Sequence, residues 1–289
     1  MYARILVPLD GSELSEQVLP HAQHLAQAFE VPVDLVCAVE REDLPENVLG
    51  EFHQDRTKYL EGIAAAFPGD SKPRCVVETG RPAEVILDEA GRRKETLIVM
   101  ATHGYSGLQR WFVGSVAHKV VQAAECPVLL FPAGAKGPDG GRVELEHIIV
   151  PLDGSALAEH ILPYATHLCK VMDMEMILLR AYHPRFPGST VRMHEVSQIV
   201  RESAENYIAA KAEELEREGI ERISFRALRG IPAEQITDFA LETQNSMTAM
   251  CSHGRHGVGR WVMGSVTDAV LHCSEEPLLV VPAPQPPLE

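Results

Sequence analysis

The chain has 289 residues, with 26 basic and 41 acidic side chains, so its formal net charge at pH 7 is −15. This acidity argues against nonspecific binding to nucleic acid or to an anionic membrane, because basic surfaces supply most of that affinity. No apolar run approaches the roughly 20 residues of a membrane span, the first residues lead into a predicted strand rather than a signal peptide, and the six cysteines show no Cys-x-x-Cys spacing. These features favour a cytoplasmic location.

Short apolar runs alternate with segments of helical periodicity along the whole chain. In the first half we predict strands over 5–9, 33–39, 74–77, 97–101 and 128–131, since continuous apolar runs are typical of strands covered on both faces. Helices are predicted over 13–29, within 48–67, over 83–93 and over 115–124, with the first one kinked at Pro20. The second half predicts strands over 148–152, 176–181, 224–228, 247–251 and 278–281, and a matching kink at Pro163. This alternation indicates an α/β fold with doubly wound parallel sheets.

Two segments of the first half recur in the second. The run ILVPLDGS at 5–12 returns as IIVPLDGS at 148–155, which is 143 residues later. The segment 101–115, in which ATHG is followed by nine residues and GS, returns 150 residues later at 251–265 as CSHG, nine residues and GS. The sequence therefore encodes one domain twice, and the second copy carries about seven extra residues in its middle.

The composition between the two copies and at the chain end sets the predicted boundaries. Residues 134–143 are mainly turn formers and are predicted to be a linker, and the proline-rich residues 284–289 are predicted to be a mobile tail. We therefore expect a first domain over 1–133 and a second over 144–283, each of a usual single-domain size.

The repeated segments have the residue types that a nucleotide site needs. In a doubly wound sheet, ligands bind outside the carboxyl ends of the strands, where the strand order reverses. Backbone amides at Gly114 and Ser115, at the start of a helix, suit phosphates, and the Asp10 carboxylate suits ribose hydroxyls. The alternative is that Ser115 only caps a helix, that Gly104 only forms a turn, and that 10–12 only start the first helix.

The motif PLDGS after the first strand, together with Gly104, nine residues and Gly114-Ser115 before the last helix, resembles the universal stress protein family. The whole chain is similar to its tandem two-domain members. The resemblance implies five-stranded sheets of order 3-2-1-4-5 and, in the ATP-binding branch of the family, a nucleotide held by these segments. Carried over by position, the nucleotide contacts of the first copy are Pro8, Leu9, Asp10, Ala38, Met100, Ala101, Gly104, Gly114, Ser115 and Val116. Those of the second copy are Pro151, Leu152, Asp153, Ala181, Met250, Cys251, Gly254, Gly264, Ser265 and Val266.

The chain departs from the family motif at one position in each copy. Where the family has glycine, this chain has Ala101 and Cys251, so we expect the second site to bind more weakly because its side chain is larger. Family members commonly pair their last strands between subunits. We therefore expect 128–131 and 278–281 to pair within the chain, so that the halves pack as a pseudo-twofold dimer, and a homodimer of the tandem chain stays open.

We expect a cytoplasmic stress-response protein that binds ATP or ADP, with or without Mg²⁺, and acts as a nucleotide-dependent regulatory or interaction module. Its partners are then an adenine nucleotide and proteins, with no nucleic acid and no membrane. The main alternative is a nucleotide-free interaction protein of the same fold. A slow ATPase is the third hypothesis. It ranks last because the sequence has no phosphate loop, dinucleotide fingerprint or nucleophile elbow. No metal site or catalytic residue is assigned.

Overall fold

The computed structural model describes residues 1–41, 46–67, 72–102, 113–132, 144–183, 193–252 and 263–283. The chain divides into two compact units, Met1–Val143 and Glu144–Glu289. The predicted linker over 134–143 and the predicted tail over 284–289 lie outside the described residues. None of the described helices is both long enough and apolar enough to cross a membrane.

The first unit is an α/β domain in which strands and helices alternate. Its elements are β1 (Arg4–Pro8), α1 (Glu13–Glu16), α2 (Leu19–Phe29), β2 (Val33–Val39), α3 (Glu46–Ala66), β3 (Arg74–Thr79), α4 (Pro82–Gly91), β4 (Thr96–Ala101), α5 (Ser115–Ala123) and β5 (Val128–Phe131). The strands pair in parallel in the order β3-β2-β1-β4-β5, which confirms the predicted order. β1 therefore lies between β2 and β4, and the strand order reverses there.

The second unit repeats this arrangement. Its elements are β6 (His147–Pro151), α6 (Ala156–Glu159), α7 (Leu162–Met172), β7 (Glu175–Tyr182), α8 (Met193–Arg217), β8 (Ile223–Arg229), α9 (Pro232–Glu242), β9 (Ser246–Cys251), α10 (Ser265–Cys273) and β10 (Leu278–Val281). The strands pair in parallel in the order β8-β7-β6-β9-β10. The prediction of two tandem doubly wound domains is thus confirmed.

The prediction of one kinked helix over 13–29 is wrong, because the chain forms two helices there. α1 ends at Glu16, and α2 begins at Leu19 with Pro20 in its first turn. Proline has no N–H to donate to the preceding turn, but the first turn of a new helix does not need that donor. The same break occurs in the second unit, where Pro163 lies in the first turn of α7.

Both faces of each sheet are covered, so the central strands are buried. All six residues of β4 and all six of β9 are buried, which explains why these runs show no alternation of polar and apolar residues. A parallel sheet of this kind leaves the carboxyl ends of its strands and the loops that follow them as the place where polar groups collect.

A buried ionic cluster joins β1, β2 and α4 of the first unit. Arg4 in β1 is fully buried, and its Nη1 lies 2.6 Å from Asp34 Oδ2 and 3.0 Å from Glu89 Oε1. Arg74 also contacts both carboxylates, and Arg92 Nη1 lies 2.7 Å from Glu89 Oε2. Burial alone would raise the pKa of Glu89, but hydrogen bonds from Arg4 and Arg74 hold it below the ordinary carboxyl value.

The second unit has different residues at the positions of this ionic cluster. His147 replaces Arg4, Ile177 replaces Asp34, and Phe239 replaces Glu89 at equivalent positions of strand and helix. His147 is partly exposed, and its Nε2 lies 3.7 Å from Glu175 Oε2. Ser224, the counterpart of Arg74, also donates to Glu175 Oε1 at 2.9 Å. A smaller polar group and two apolar residues therefore replace the charge cluster of the first unit.

We predict that Arg4→Met destabilises the first unit by about 3–5 kcal/mol, because two buried carboxylates lose their main cationic partner. Urea unfolding followed by circular dichroism measures this loss. His147→Met is the matched control and should cost less than about 1 kcal/mol, since that side chain is partly exposed. A loss below about 1 kcal/mol for Arg4→Met would contradict the assigned role of the cluster.

Candidate ligand-binding site

A cavity of about 480 Å³ opens at the carboxyl ends of β1, β2 and β4 in the first unit. This is the crevice where the strand order reverses, which is the expected ligand position in such a sheet. The cavity is lined by Pro8, Leu9, Asp10, Ser15, Val36, Ala38, Val39, Glu40, Phe52, Arg56, Pro82, Ile86, Met100, Ala101, Thr102, Gly114, Ser115, Val116 and Ala117.

The structure brings nine of the ten predicted first-copy positions to the wall of this one cavity. The tenth, Gly104, lies outside the described residues. Residues that are up to about a hundred positions apart in the sequence are therefore neighbours around one space, because β1 and β4 pair directly.

The Asp10 carboxylate is held in place by the turn that it begins. Asp10 Oδ1 accepts hydrogen bonds from the Ser12 backbone N–H at 2.9 Å and from Ser12 Oγ at 2.6 Å. Gly11 has φ +83°, a left-handed conformation that favours glycine. Ser12 Oγ in turn caps α1 by accepting from the Ser15 N–H at 3.1 Å. The predicted helix-start role of this segment is therefore real, and it also orients an acidic side chain at the cavity wall.

The other polar wall is the N-terminus of α5. Gly114 is its N-cap residue with φ −59° and ψ 148°, and Ser115 is its first helical residue. Such a terminus presents backbone N–H groups and the positive end of the helix dipole. The φ of Gly114 is open to any residue, so its backbone conformation does not require glycine. Gly114 lines the cavity with backbone atoms alone.

The remaining wall is mainly apolar. Val39 and Ile86 come from β2 and α4, and Met100 comes from the end of β4. Phe52 on α3 also lines the cavity although it is 46% exposed. A flat apolar group fits this lining, and anionic groups fit the helix terminus.

Arg56 lines the cavity, and the sequence analysis did not identify it. It lies on α3, and its Nη1 donates a hydrogen bond to the Asp10 carbonyl oxygen at 3.0 Å. A Cβ on Gly11 would clash with Arg56 Nη1, so the absence of a side chain at Gly11 leaves room for the guanidinium beside the turn. No motif marks Arg56. The available signal is its spacing of one helical turn from Phe52, which places both on the same face of α3.

The second copy repeats the backbone features of the site. Asp153 Oδ1 accepts from the Ser155 N–H at 2.9 Å and from Ser155 Oγ at 2.6 Å. Gly264 is the N-cap of α10 with φ −61°, and its N–H donates to the Ser252 carbonyl at 2.8 Å. The other positions lie in register with the first copy: Pro151 at the end of β6, Leu152 after it, Ala181 in β7, Met250 and Cys251 at the end of β9, and Ser265 and Val266 at the start of α10. Gly254 lies outside the described residues.

The comparisons with known proteins agree with this architecture. The model of the universal stress protein family matches residues 1–132 and again 144–282. The chain belongs to the universal stress protein family. Universal stress protein MJ0531 of Methanocaldococcus jannaschii is 32% identical over 141 residues, which cover 45% of this chain and 82% of that protein. Universal stress protein Rv2005c of Mycobacterium tuberculosis is 27% identical over 226 residues, which cover 76% of this chain and 72% of that protein.

A solved structure extends the likeness over the whole chain. The crystal structure of a universal stress protein from Archaeoglobus fulgidus covers 98% of this chain and 99% of its own, with a TM-score of 0.71 and 19% identity. At this identity the likeness concerns the fold. The two matches of the family model show that this universal stress protein is a tandem, two-domain member.

The position at which this universal stress protein departs from the family motif is closely packed in the second copy. Cys251 ends β9 and is 4% exposed, and its carbonyl accepts a hydrogen bond from Thr267 Oγ1 at 2.9 Å. Burial raises the pKa of the Cys251 thiol to about 12. The thiolate is the reactive form of cysteine, so this environment makes the thiol inert.

We predict that Cys251 resists alkylation by iodoacetamide at pH 8 in the native protein, whereas the exposed Cys273 reacts. Peptide mass spectrometry after a timed reaction measures both residues in one sample. The same reaction in urea is the control, in which both thiols should be modified. Modification of native Cys251 at the rate of Cys273 would show that the thiol is accessible and reactive.

Proposed function

We propose that this universal stress protein binds an adenine nucleotide, ATP or ADP, and acts as a nucleotide-dependent regulatory or interaction module. The observation that carries the proposal is the convergence on one cavity of an oriented carboxylate, Asp10, the N-terminus of α5, and an apolar wall. Each of these three matches one part of a nucleotide.

The phosphates bind at the N-terminus of α5, where the helix dipole and the backbone N–H groups of Ser115 and Val116 favour anions. The Gly114 N–H is already donated to the Thr102 carbonyl at 2.8 Å. The ribose hydroxyls donate to the Asp10 carboxylate, whose orientation Ser12 fixes. The base packs against the apolar wall that includes Val39 and Ile86. The glycine at position 114 has a reason in this arrangement, since a side chain there would occupy the space of a phosphate.

The Asp10 and Glu40 carboxylates bring negative charge to the same cavity as the phosphates. Mg²⁺ bound with a triphosphate would reduce this repulsion, and carboxylate oxygens are the ligand type that Mg²⁺ prefers. No described lining residue is assigned to orient an attacking water, so we propose low turnover. Slow hydrolysis of bound ATP is the outcome that an assay with and without Mg²⁺ would detect.

The nucleotide-free interaction protein is the second candidate. It is favoured by the capping contacts, because Ser12 caps α1 whether or not a ligand is present. In this candidate Gly114 only caps α5, a position that favours glycine among a few other residues, and a side chain there would affect no ligand. The two candidates therefore differ in what a side chain at that position would do.

We also propose a cellular location, a biological role and an assembly for this protein. All six cysteines are free thiols, which supports a reducing cytoplasm. Membership of the family supports a role in stress responses. The pairing of the last strands of the two halves in a pseudo-twofold dimer stays a prediction, as does a homodimer of the tandem chain. An experimental structure with either strand facing solvent would contradict the first.

We predict that Gly114→Val weakens ATP binding at the first site by at least tenfold, because its side chain fills the phosphate position; Gly114→Ala should show an intermediate loss. Isothermal titration calorimetry measures the affinity, and circular dichroism checks the fold. Gly62→Val is the matched control, since an added Cβ there meets nothing within 4 Å and the residue lies outside the cavity. Unchanged ATP affinity in a folded Gly114→Val protein would favour the nucleotide-free candidate.

We also predict that the two sites are unequal, with the first binding ATP about fivefold more tightly, because Cys251 occupies a position where the first copy has the smaller Ala101. Calorimetry on Asp153→Ala, which retains the first site, and on Asp10→Ala, which retains the second, gives the two affinities. Cys251→Gly should strengthen the weaker site. Equal affinities, or no gain from Cys251→Gly, would show that the sulfur is tolerated.

A further inference from the structure

An arginine lies beside the Asp-Gly-Ser turn in each unit, but it comes from a different element. In the first unit it is Arg56 of α3, which donates to the Asp10 carbonyl at 3.0 Å. In the second unit it is Arg180 of β7, whose Nη1 donates to the Leu152 carbonyl at 3.2 Å. Leu152 immediately precedes Asp153, so both guanidinium groups hold the backbone of the same turn.

The two arginines are not at equivalent positions in the repeat. Arg180 follows Cys37 by 143 residues, the spacing that also relates Asp10 to Asp153. Equivalent tyrosines align α3 of the first unit with α8 of the second. Tyr59 on α3 donates a hydrogen bond to Glu16 at 2.8 Å, and Tyr207 on α8 donates one to the equivalent Glu159 at 2.7 Å.

The two tyrosines are 148 residues apart, and the same offset makes Ala204 on α8 the counterpart of Arg56 on α3. One copy therefore has a small residue on the strand and arginine on the helix, and the other has arginine on the strand and a small residue on the helix. Cys37 and Ala204 are both buried, at 1% and 3% exposure, so each copy has a small buried residue at the position where the other has its arginine.

The carbonyls that the two arginines contact are adjacent in the repeat, since Leu152 is the counterpart of Leu9. Burial raises the pKa of the Cys37 thiol to about 11, and the charges of Arg56 and Asp10 act on that pKa in opposite directions. Arg180 lies over the ring of Tyr207 at 5.0 Å, next to the position of Ala204 one turn earlier on α8. The guanidinium comes from a different element in each copy and contacts the backbone at the same turn in both.

The positive charge of Arg56 is not neutralised by any described carboxylate. Among the described residues, no carboxylate oxygen lies within 4.0 Å of an Arg56 nitrogen, and its hydrogen-bond partner is the neutral Asp10 carbonyl. It is the only cation among the described residues that line the cavity, where Asp10 and Glu40 are acidic. A guanidinium has five N–H donors, and one hydrogen bond to a carbonyl leaves positive charge facing the cavity.

We propose that Arg56, and Arg180 in the second copy, make the sites select phosphorylated over unphosphorylated adenosine. This rests on the proposed function and deepens it. The positive charge next to Asp10 offsets the repulsion that this carboxylate would exert on the phosphates. Two copies of one domain reach the same charge by different routes, which points to the guanidinium itself, rather than the residue at one position, as the required feature. The competing explanation is that the arginine only fixes the turn backbone.

The test separates charge from backbone support. The parent protein is the full chain carrying Gly264→Val, so that the first site is measured, and the probes are ATP and neutral adenosine in calorimetry at fixed salt. Arg56→Gln keeps an N–H donor for the Asp10 carbonyl and removes the charge. We expect it to bind ATP about tenfold more weakly and adenosine within about twofold of the parent. Arg56→Lys, which keeps the charge, should retain most of the preference for ATP.

Two further variants complete the design. Arg81→Ala also removes one positive charge, from an exposed side chain outside the cavity, and should leave both affinities unchanged. The double variant Arg56→Ala with Cys37→Arg copies the arrangement of the second unit and should recover ATP affinity to within about threefold of the parent. In a Gly114→Val parent, Arg180→Gln tests the second copy in the same way.

Equal losses for ATP and adenosine in folded Arg56→Gln would show that the arginine only supports the turn, and unchanged ATP affinity would show that its charge is not used. Either result overturns the inference while leaving nucleotide binding intact. A parent protein that binds neither probe would overturn the proposed function, and this inference with it.

Discussion

β1 pairs in parallel with both β2 and β4, and the location of the site depends on this double pairing. The chain leaves β1 toward one side of the sheet and returns to β4 on the other, so a crevice must open between the loops that follow these two strands. Asp10 and the N-terminus of α5 meet there although they are far apart in the sequence. A ligand site at this edge is therefore a consequence of topology, and the side chains decide only which ligand it takes.

The repeat shows which features of the fold allow substitution and which do not. The buried ion pairs of Arg4 in the first unit have no counterpart in the second, where two of the charged positions are apolar and a smaller polar group forms around Glu175. The guanidinium beside the turn has instead been retained with a new origin. A feature that persists while its sequence position changes cannot be found by matching motifs between the copies, because the matched positions, Cys37 and Arg180, differ in size and charge.

Much of the fold was predictable because its signals are local. Continuous apolar runs identify the strands, and the repeated PLDGS and Gly-Ser motifs lead to the family and its strand order. Pro20 was interpreted as a kink because a missing N–H disturbs a helix, yet the same property let it start a new one. Arg56 was missed because its contact with Asp10 depends on how α3 packs against the sheet, 46 residues away in the sequence. Gly104 and Gly254 lie outside the described residues, so their predicted roles stay predictions.

The central claim is that the crevice holds an adenine nucleotide, and the most direct measurement examines the protein as it comes from cells. The full chain is purified natively without added nucleotide and denatured, and the released small molecules are identified by mass spectrometry. Titration of the emptied protein with ATP then gives the affinity and the number of sites. The account predicts ATP or ADP in the released fraction and saturable binding to the emptied protein. The absence of nucleotide, together with no binding of ATP at millimolar concentration, would contradict it.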